Sequence, residues 1–269
     1  MTRPLDRERL HPILRQQGRP GLALRAILEG NPPVFREAGP GLWALVARDE
    51  ALVRPLIHRR QLGAVGLEEA ELWQIAAENL DSAALKREDH GWSLAAPEAA
   101  ARVLLPGWLR ALGAELVAVP ASGTLRVGAL ADASALSSGL ITAWREADEP
   151  ISPVLYRVDP GGGLSRWDPS PDTPGSRTQT SAWLLLQSTI YADSSPVLAD
   201  AGPEDLEGCA LPGFRVDAGL RSWCRWSGEP AVLPEVDEVE DAHGQRRPFP
   251  TGAAITGLLP RWFRVGPAT

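Results

Sequence analysis

The sequence predicts an α+β protein in which short antiparallel hairpins alternate with helices that cover one face of the sheet. Three observations support this fold class. A strand–strand–helix pattern recurs three times between residues 42 and 158. The composition is that of an ordinary globular chain, with 44% hydrophobic and 23% charged residues among 269. Proline and glycine concentrate beyond residue 159, which predicts a Pro-rich C-terminal extension or small second domain.

The N-terminal segment is predicted to be helical. Apolar residues recur near helical spacing over residues 4–17, which indicates a surface helix. Pro20-Gly21 interrupts the pattern, and residues 22–28 form a second short helical candidate that ends at Asn31-Pro32-Pro33. The apolar positions behind the first helix are Leu5, Leu10, Ile13 and Leu14.

The first strand–strand–helix unit follows. Residues 42–47 read as a strand, Asp49-Glu50 as its turn and residues 52–57 as the returning strand. A helix is expected over residues 67–80, because apolar residues occupy one face of it and glutamates occupy the rest. The apolar face consists of Leu72, Ile75, Ala76 and Leu80.

The next two units are predicted in the same way. The second has strands at 83–86 and 92–94 and a helix from Pro97 to about Leu105, where Pro106 must kink or restart it. The third is clearer: the turn at 120–123 separates two strands, and Asp132 is a plausible N-cap for a helix that ends near Asp148. The strands of the third unit are expected at 115–119 and 124–130, followed by another strand at 154–158.

Residues 159–180 predict a long loop or linker, because they contain four prolines and a triple glycine. The triple glycine at 161–163 reads as a hairpin turn. Residues 182–191 are apolar and expected to be ordered, and residues 214–216 to form a short strand. We therefore expect two parts, an α+β domain over 1–165 and a Pro-rich C-terminal extension or small domain over 166–269.

Two segments carry a resemblance to a known family. Gln61-Leu62-Gly63, followed by the helix at 69–80 with its A-x-x-N-L end, resembles a segment of the YtpQ-like family of bacterial proteins. The strand at 115–122 and the start of another at 150–153 occur in the same order. The resemblance covers roughly residues 42–158. It implies a bacterial origin and an α+β fold, and it implies no chemistry.

Charge and cysteine usage bear on partners and compartment. The net charge is −7, but the first 60 residues contain 11 arginines and 6 acidic residues, so they carry +5 and the remainder −12. An anionic partner for the N-terminal segment would explain this asymmetry; the interpretation we favour is that the basic and acidic parts pack together. We expect no membrane association, since no apolar run approaches the ~20 residues of a membrane helix. Cys209 and Cys224 read as free thiols, and the expected compartment is the cytoplasm.

The usual motifs of catalysis and cofactor binding do not occur. The histidines His11, His58, His90 and His243 show no H-x-x-x-H spacing, and there is no C-x-x-C, G-x-S-x-G or phosphate-binding glycine loop. The acidic run at 235–241 lacks the glycine turn of a calcium loop and reads as a solvated edge. We therefore expect no metal site and no cofactor.

Two weaker clusters remain as candidate sites. His58, Arg59 and Arg60 follow a predicted strand and could offer three donors to an anion. The second cluster combines arginines with tryptophans, which can stack bases or bind phosphates. Residues 209–269 nevertheless contain seven arginines and seven acidic residues, so we favour arginines stacked on tryptophans within a folded part. This second cluster comprises Arg221, Trp223, Arg225 and Trp226.

Three functions are compatible with these observations. The first is a non-enzymatic adaptor or regulatory protein that binds another protein. The second is an enzyme whose carboxylates, with His58 or His90, assemble only in the fold. The third is a nucleic-acid-binding protein that uses the Arg/Trp clusters, which the acidic net charge disfavours. The sequence favours the first of these functions, and we expect the partner to be another protein.

Overall fold

The computed structural model describes residues 6–17, 25–26, 29–50, 54–80, 85–201, 206–255 and 261–267. The protein is an α+β protein built mainly from antiparallel sheets. It divides into two compact units. Unit 1 comprises Met1–Gln16 and Asn31–Trp183, and unit 2 comprises Gln17–Gly30 and Leu184–Thr269. The sequence placed the boundary at residue 165, whereas this division crosses the chain at 183–184.

A three-stranded antiparallel sheet begins unit 1, with the central strand most deeply buried. The expectation of a helix over 4–17 is wrong for residues 10–16, which form a strand that pairs along its whole length with the central strand. Tertiary pairing has overridden the helical spacing, since burial of five of these seven residues requires a sheet partner for each backbone group. The strands are β1 (Leu10–Gln16), β2 (Phe35–Gly39) and β3 (Leu42–Arg48), in the order β1-β3-β2.

The prediction of a returning strand at 52–57 was only partly correct. Residues 51–53 lie outside the described part of the chain. Beyond them, Leu56 and His58 form only single bridges, to Ala47 and Pro33 respectively. The strand that pairs with β3 on that side is β2, which precedes it in the chain.

Two helices cover one face of this sheet. The helix expected at 67–80 is confirmed as α2, with Leu72 and Ala76 buried, while Ile75 and Leu80 are only partly buried. A preceding helix, α1, was not predicted; it is short and buries only Leu62. The bounds are α1 (Arg59–Val65) and α2 (Glu69–Glu78).

The second and third hairpins join a six-stranded antiparallel sheet, as their alternation predicted. A 3-10 helix follows the second hairpin, and Pro106 then occupies the first position of a new helix. A proline is favourable there because the backbone nitrogen at that position has no hydrogen-bond partner within the helix. The sheet has the order β4-β5-β7-β6-β8-β9. The strands of this sheet are β4 (Lys86–Glu88), β5 (Gly91–Ala95), β6 (Leu116–Ala121), β7 (Thr124–Gly128), β8 (Leu155–Val158) and β9 (Leu164–Arg166). Between β5 and β6 lie the 3-10 helix Ala99–Leu104 and α3 (Pro106–Ala111).

The single helix expected from Asp132 to Asp148 is three short helices. Gly139 has a φ of 71°, a left-handed conformation that interrupts the helix, and the side chain of Asp132 forms no capping hydrogen bond. Buried residues of these helices pack on β6 and β8. The three are the 3-10 helix Leu130–Asp132, α4 (Ala133–Ser137) and α5 (Leu140–Glu146).

The segment expected to be a linker, residues 159–180, contains a strand and the start of a helix, with turns and irregular chain between them. The triple glycine forms the turn of the β8–β9 hairpin, as predicted, and a helix, α6 (Ser176–Ala201), begins within the expected loop. Gln179 anchors its first turns: the side chain accepts from the Leu155 amide at 3.0 Å and donates to the Leu155 carbonyl at 2.8 Å. The ordered structure expected for 182–191 is therefore helical.

Unit 2 contains the remainder of α6 and two small sheets. One sheet has the order β10-β11-β13-β14 and includes a parallel pair, β11 with β13; the other has the order β12-β16-β15. The expected strand near 214–216 is confirmed as β10. No helix of the described residues is both long and apolar enough to cross a membrane. The strands are β10 (Arg215–Val216), β11 (Ser222–Arg225), β12 (Ala231–Pro234), β13 (Glu238–Glu240), β14 (Arg246–Pro248), β15 (Ala253–Ala254) and β16 (Trp262–Val265).

Candidate functional site

The residues His58, Arg59 and Arg60 lie at the start of α1. His58 and Arg59 already interact with other residues of unit 1. The His58 amide donates to Gln61 Oε1 at 2.7 Å, and its ring Nδ1 lies 2.8 Å from the Asn31 carbonyl oxygen, which must accept a hydrogen from it. Arg59 Nη2 is 3.7 Å from a Glu69 carboxylate oxygen. Two of the three expected donors are thus occupied, and anion binding there stays a prediction.

The Arg/Trp cluster lies on β11, and strand alternation separates its residues. Ser222 and Cys224 point to the core, whereas Trp223 and Arg225 point outward. Trp226 follows the strand and packs against the core of unit 2, where its Nε1 donates to the Glu229 carbonyl at 2.6 Å. The structure therefore brings Arg221, Trp223 and Arg225 together and separates Trp226 from them.

Two further arginines stack on Trp223, and the sequence analysis missed both. The guanidinium of Arg246, from β14, lies 4.3 Å from the ring centroid, and that of Arg215, from β10, lies 5.3 Å from it. Stacking within about 6 Å attracts a cation to the ring face. Arg246 is 23 residues from Trp223 in the sequence, so only the pairing of β13 with both β11 and β14 brings them together.

Carboxylates of β13 and of the β10–β11 turn neutralise most of these arginines. Arg221 is 2.8 Å from Glu238, and Arg225 is 2.7 Å from Glu240. The hydrogen bond from Arg225 is the main reason that the pKa of Glu240 is lowered. Arg246 lies 2.6 Å from Asp217. Arg215 differs, because it forms no ion pair with any carboxylate of the described residues.

The β10–β11 turn beside this stack is held in a defined conformation. Asp217 Oδ1 accepts hydrogen bonds from the amides of Gly219 at 2.9 Å and Arg221 at 3.1 Å, and the latter bond is the main cause of its lowered pKa. Leu220 has a φ of 60°, which is unusual for a residue with a side chain. Val216 pairs with the core-facing Ser222 and so lies on the other face of this sheet. We call the set Arg215, Leu220, Arg221, Trp223, Arg225 and Arg246 the Arg/Trp surface.

A second group that the sequence did not reveal is centred on Glu98 in unit 1. Its carboxylate is buried and paired with Arg54, while Arg15 Nη1 lies 3.8 Å from its other oxygen, which accepts no hydrogen bond. Burial raises the pKa of Glu98 although both arginines lower it. Arg54 also binds Asp49 at 2.8 Å, and Asp49 is 3.4 Å from His11. Glu98 itself has a φ of 54°.

The Glu98 network is the nearest approach to the carboxylate and histidine site that an enzyme would need. The histidine in it is His11, whereas the sequence had suggested His58 or His90; His90 instead lies 3.4 Å from Asp132. The partners of Glu98 are arginines contributed by β1 and by the segment after β3. We interpret the network as an ion-pair cluster that fixes the 3-10 helix Ala99–Leu104 to the first sheet.

Comparisons with other proteins add no function. Within the described ranges, no three histidine, cysteine, aspartate or glutamate residues are grouped so that they could hold a metal ion. No protein-family model matches the chain, and no curated protein and no solved structure shows significant similarity to it. The resemblance to the YtpQ-like family therefore stays a prediction.

Proposed function

We propose that the protein is a non-enzymatic adaptor or regulatory protein that binds an acidic segment of another protein through the Arg/Trp surface. The observation that carries the proposal is the outward-facing, partly exposed Trp223 ring, which the guanidinium groups of Arg215 and Arg246 approach. Of these two arginines, Arg215 forms no ion pair with a carboxylate of the described residues. Tryptophan and arginine are the residue types most enriched where protein interfaces concentrate their binding energy.

The surface is already ordered, which lowers the cost of binding. Asp217 holds the β10–β11 turn, and Arg246 is held between Trp223 and Asp217. Side chains that are fixed before association lose less conformational entropy when the partner arrives.

The charges of this surface favour a protein partner over a nucleic acid. Four arginines lie among three carboxylates, Asp217, Glu238 and Glu240, so the local excess is a single positive charge. A polyanion would bring several phosphates close to those carboxylates, whereas one acidic side chain needs only Arg215. Nucleic-acid-binding surfaces ordinarily have a larger basic excess.

The proposal is tested by crosslinking at the surface itself. A photoreactive amino acid replaces Ala218, which is exposed in the β10–β11 turn. The protein is then crosslinked in cells of its source, and crosslinked proteins are identified by mass spectrometry. Their segments are then synthesised as peptides, and binding is measured by fluorescence anisotropy. We expect an acidic peptide whose affinity falls at least about tenfold in Trp223→Ala and in Arg215→Glu, corresponding to ~1.4 kcal/mol.

Arg157→Glu is the matched control, since Arg157 is an exposed arginine on β8 of unit 1. It makes the same change in net charge and should leave binding unchanged. Equal losses in Arg215→Glu and Arg157→Glu would show a non-specific charge effect and contradict the proposal. DNA and RNA are measured in the same assay, and we expect no binding at micromolar concentration and physiological salt. Salt-sensitive nucleic-acid binding that is lost in an Arg221→Ala/Arg225→Ala variant would replace the proposed function with the third hypothesis.

A further inference from the structure

A cavity of about 430 Å³ opens in unit 1 where the β4–β5 hairpin, β7 and α4 meet. Its size lies in the range of ~300–1,000 Å³ that small-molecule sites occupy. Its lining is partly apolar and partly charged. Ala135 and Leu136 of α4 line one part and Trp92 another, while charged residues of the hairpin and β7 line the rest.

Three cations border the cavity, and the strand register brings two of them together. Lys86 lies opposite Ser93, which in turn lies opposite Arg126, so the three form one row across β4, β5 and β7. The third cation, Arg87, pairs across the hairpin with Trp92, and its guanidinium is 5.6 Å from the indole centroid. Two carboxylates, Glu88 and Asp89, also border the cavity.

One of these carboxylates is already engaged. Glu88 accepts a hydrogen bond from Ser93 Oγ at 2.7 Å and lies 3.6 Å from Lys86 Nζ, so it offsets the lysine. Neither Arg87 nor Arg126 forms an ion pair with a carboxylate in the part of the chain that the structure describes. Among the described residues, the guanidinium of Arg126 makes one long hydrogen bond, 3.5 Å from the Ser138 carbonyl oxygen. Arg87 and Trp92 pair one position along the strands from the Lys86–Ser93–Arg126 row, so their side chains lie on the opposite face of the sheet. Arg126 is therefore the arginine on the α4 side with donors available to a ligand.

The pKa of Glu88 is consistent with a positive local potential. It is lowered first by the hydrogen bond from Ser93 and further by the charges of Lys86 and Arg126. The lining therefore stabilises a carboxylate that belongs to the chain itself. A ligand with an anionic oxygen would gain from the same two cations, and Arg126 and Lys86 could each form charge-assisted hydrogen bonds to it.

We infer that this cavity binds a small amphipathic anion, with a carboxylate or phosphate group at Arg126 and Lys86 and an apolar part against Ala135 and Leu136. The two anionic groups share the chemistry that arginine recognises through paired N–H donors. This site is separate from the Arg/Trp surface of unit 2, and each can fail without the other.

The test uses four probes of one shape and different charge: benzoate, phenyl phosphate, benzyl alcohol and benzylamine. Binding to the full chain is measured by isothermal titration calorimetry, and the backbone amide signals of Ala135 and Leu136 in NMR spectra locate it. We expect saturable binding of one or both anions, displacement of those two signals, and no binding of benzylamine. The tighter of benzoate and phenyl phosphate identifies the preferred anionic group.

Two variants are expected to act in opposite directions. Arg126→Gln should weaken anion binding at least about tenfold, because one charge-assisted interaction is lost. Glu88→Gln should strengthen it several-fold, because a competing carboxylate is removed. Arg157→Gln, an exposed arginine of β8 in the same sheet, is the control and should change nothing.

A third variant, Ala135→Trp, fills the cavity from α4 and should abolish binding while circular dichroism remains that of the wild type. Three results would overturn the inference. They are the absence of saturable binding of either anion at millimolar concentration, benzylamine binding as tight as that of the anions, and an Arg126→Gln affinity equal to that of wild type.

Discussion

Leu72→Ala tests the core that holds α2 against the first sheet. Leu72 is fully buried among Leu10 of β1, Val46 of β3 and Ile57. The substitution removes three buried carbon atoms, which corresponds to roughly 2.4 kcal/mol of transfer free energy at about 0.8 kcal/mol each. The cavity left between helix and sheet adds to this, because the surrounding strands are fixed by their pairing. We expect a loss of about 3 kcal/mol in the free energy of unfolding, within the ~2–5 kcal/mol of buried leucine truncations.

The assay is urea denaturation followed by circular dichroism, with one indole NMR signal for each unit. Trp144 reports unit 1 and Trp262 reports unit 2. Val65→Ala is the control, since Val65 lies at the end of α1 and is 38% exposed; its effect should stay within about 0.5 kcal/mol. An unchanged midpoint for the Trp144 signal in Leu72→Ala would refute the assignment of the apolar face.

Three further predictions concern charge, backbone and thiols. Burial raises the folded-state pKa of Glu98, so its contribution to stability is present at low pH and is lost as the pH rises through that pKa. Glu98→Gln should lack this loss when unfolding free energies are compared over a pH series from 4 to 8 in urea. Gly91→Ala would place its Cβ against a backbone carbonyl oxygen of β7. In Gly66→Ala the left-handed φ of 64° is the only penalty, and the loss of stability should be about 1–2 kcal/mol. Gly91→Ala should therefore lower the stability clearly more than Gly66→Ala, as measured by thermal unfolding of both variants. Cys209 is partly exposed, whereas Cys224 is buried and its pKa is raised to about 12, so a thiol reagent should modify one cysteine in the folded protein and two after unfolding without reductant. Absence of the second thiol after unfolding would indicate a disulfide.

Two hairpins were predicted correctly from the sequence, whereas in the return strand expected at 52–57 the described residues form only isolated bridges. The β6–β7 hairpin has apolar strands on both sides of a turn at Ser122-Gly123, so all its determinants lie within about a dozen residues. The β8–β9 hairpin was predicted for the same reason, from the triple glycine at 161–163. The start of α3 at Pro106 follows from the covalent structure of proline alone. In each case the determining interactions are local.

Predictions failed where distant segments decided the structure. Residues 10–16 have apolar positions that suit a helix, but β3 offers them a hydrogen-bonded partner from residue 42 onward. The helix expected over 132–148 was broken at Gly139, whose left-handed φ lets α5 begin again against β6. Local periodicity carries no information about such partners, and tertiary pairing outweighs a helix propensity worth only tenths of a kcal/mol per residue.

The candidate sites show the same division. The sequence by itself determined the α+β class, the β6–β7 and β8–β9 hairpins, and the presence of arginines beside Trp223, because these depend on composition and on neighbouring residues. Only the tertiary structure decided that Arg215 and Arg246 stack on that tryptophan, that Glu98 is buried between Arg15 and Arg54, and that Arg126 and Lys86 border one cavity. The contacts at Trp223 depend on the pairing of β11 with β13, and those at the cavity depend on the packing of α4 against β7. Both join segments that are distant in the sequence. Their formation is decided by how the whole chain buries its apolar residues, and a local sequence pattern carries no information about that.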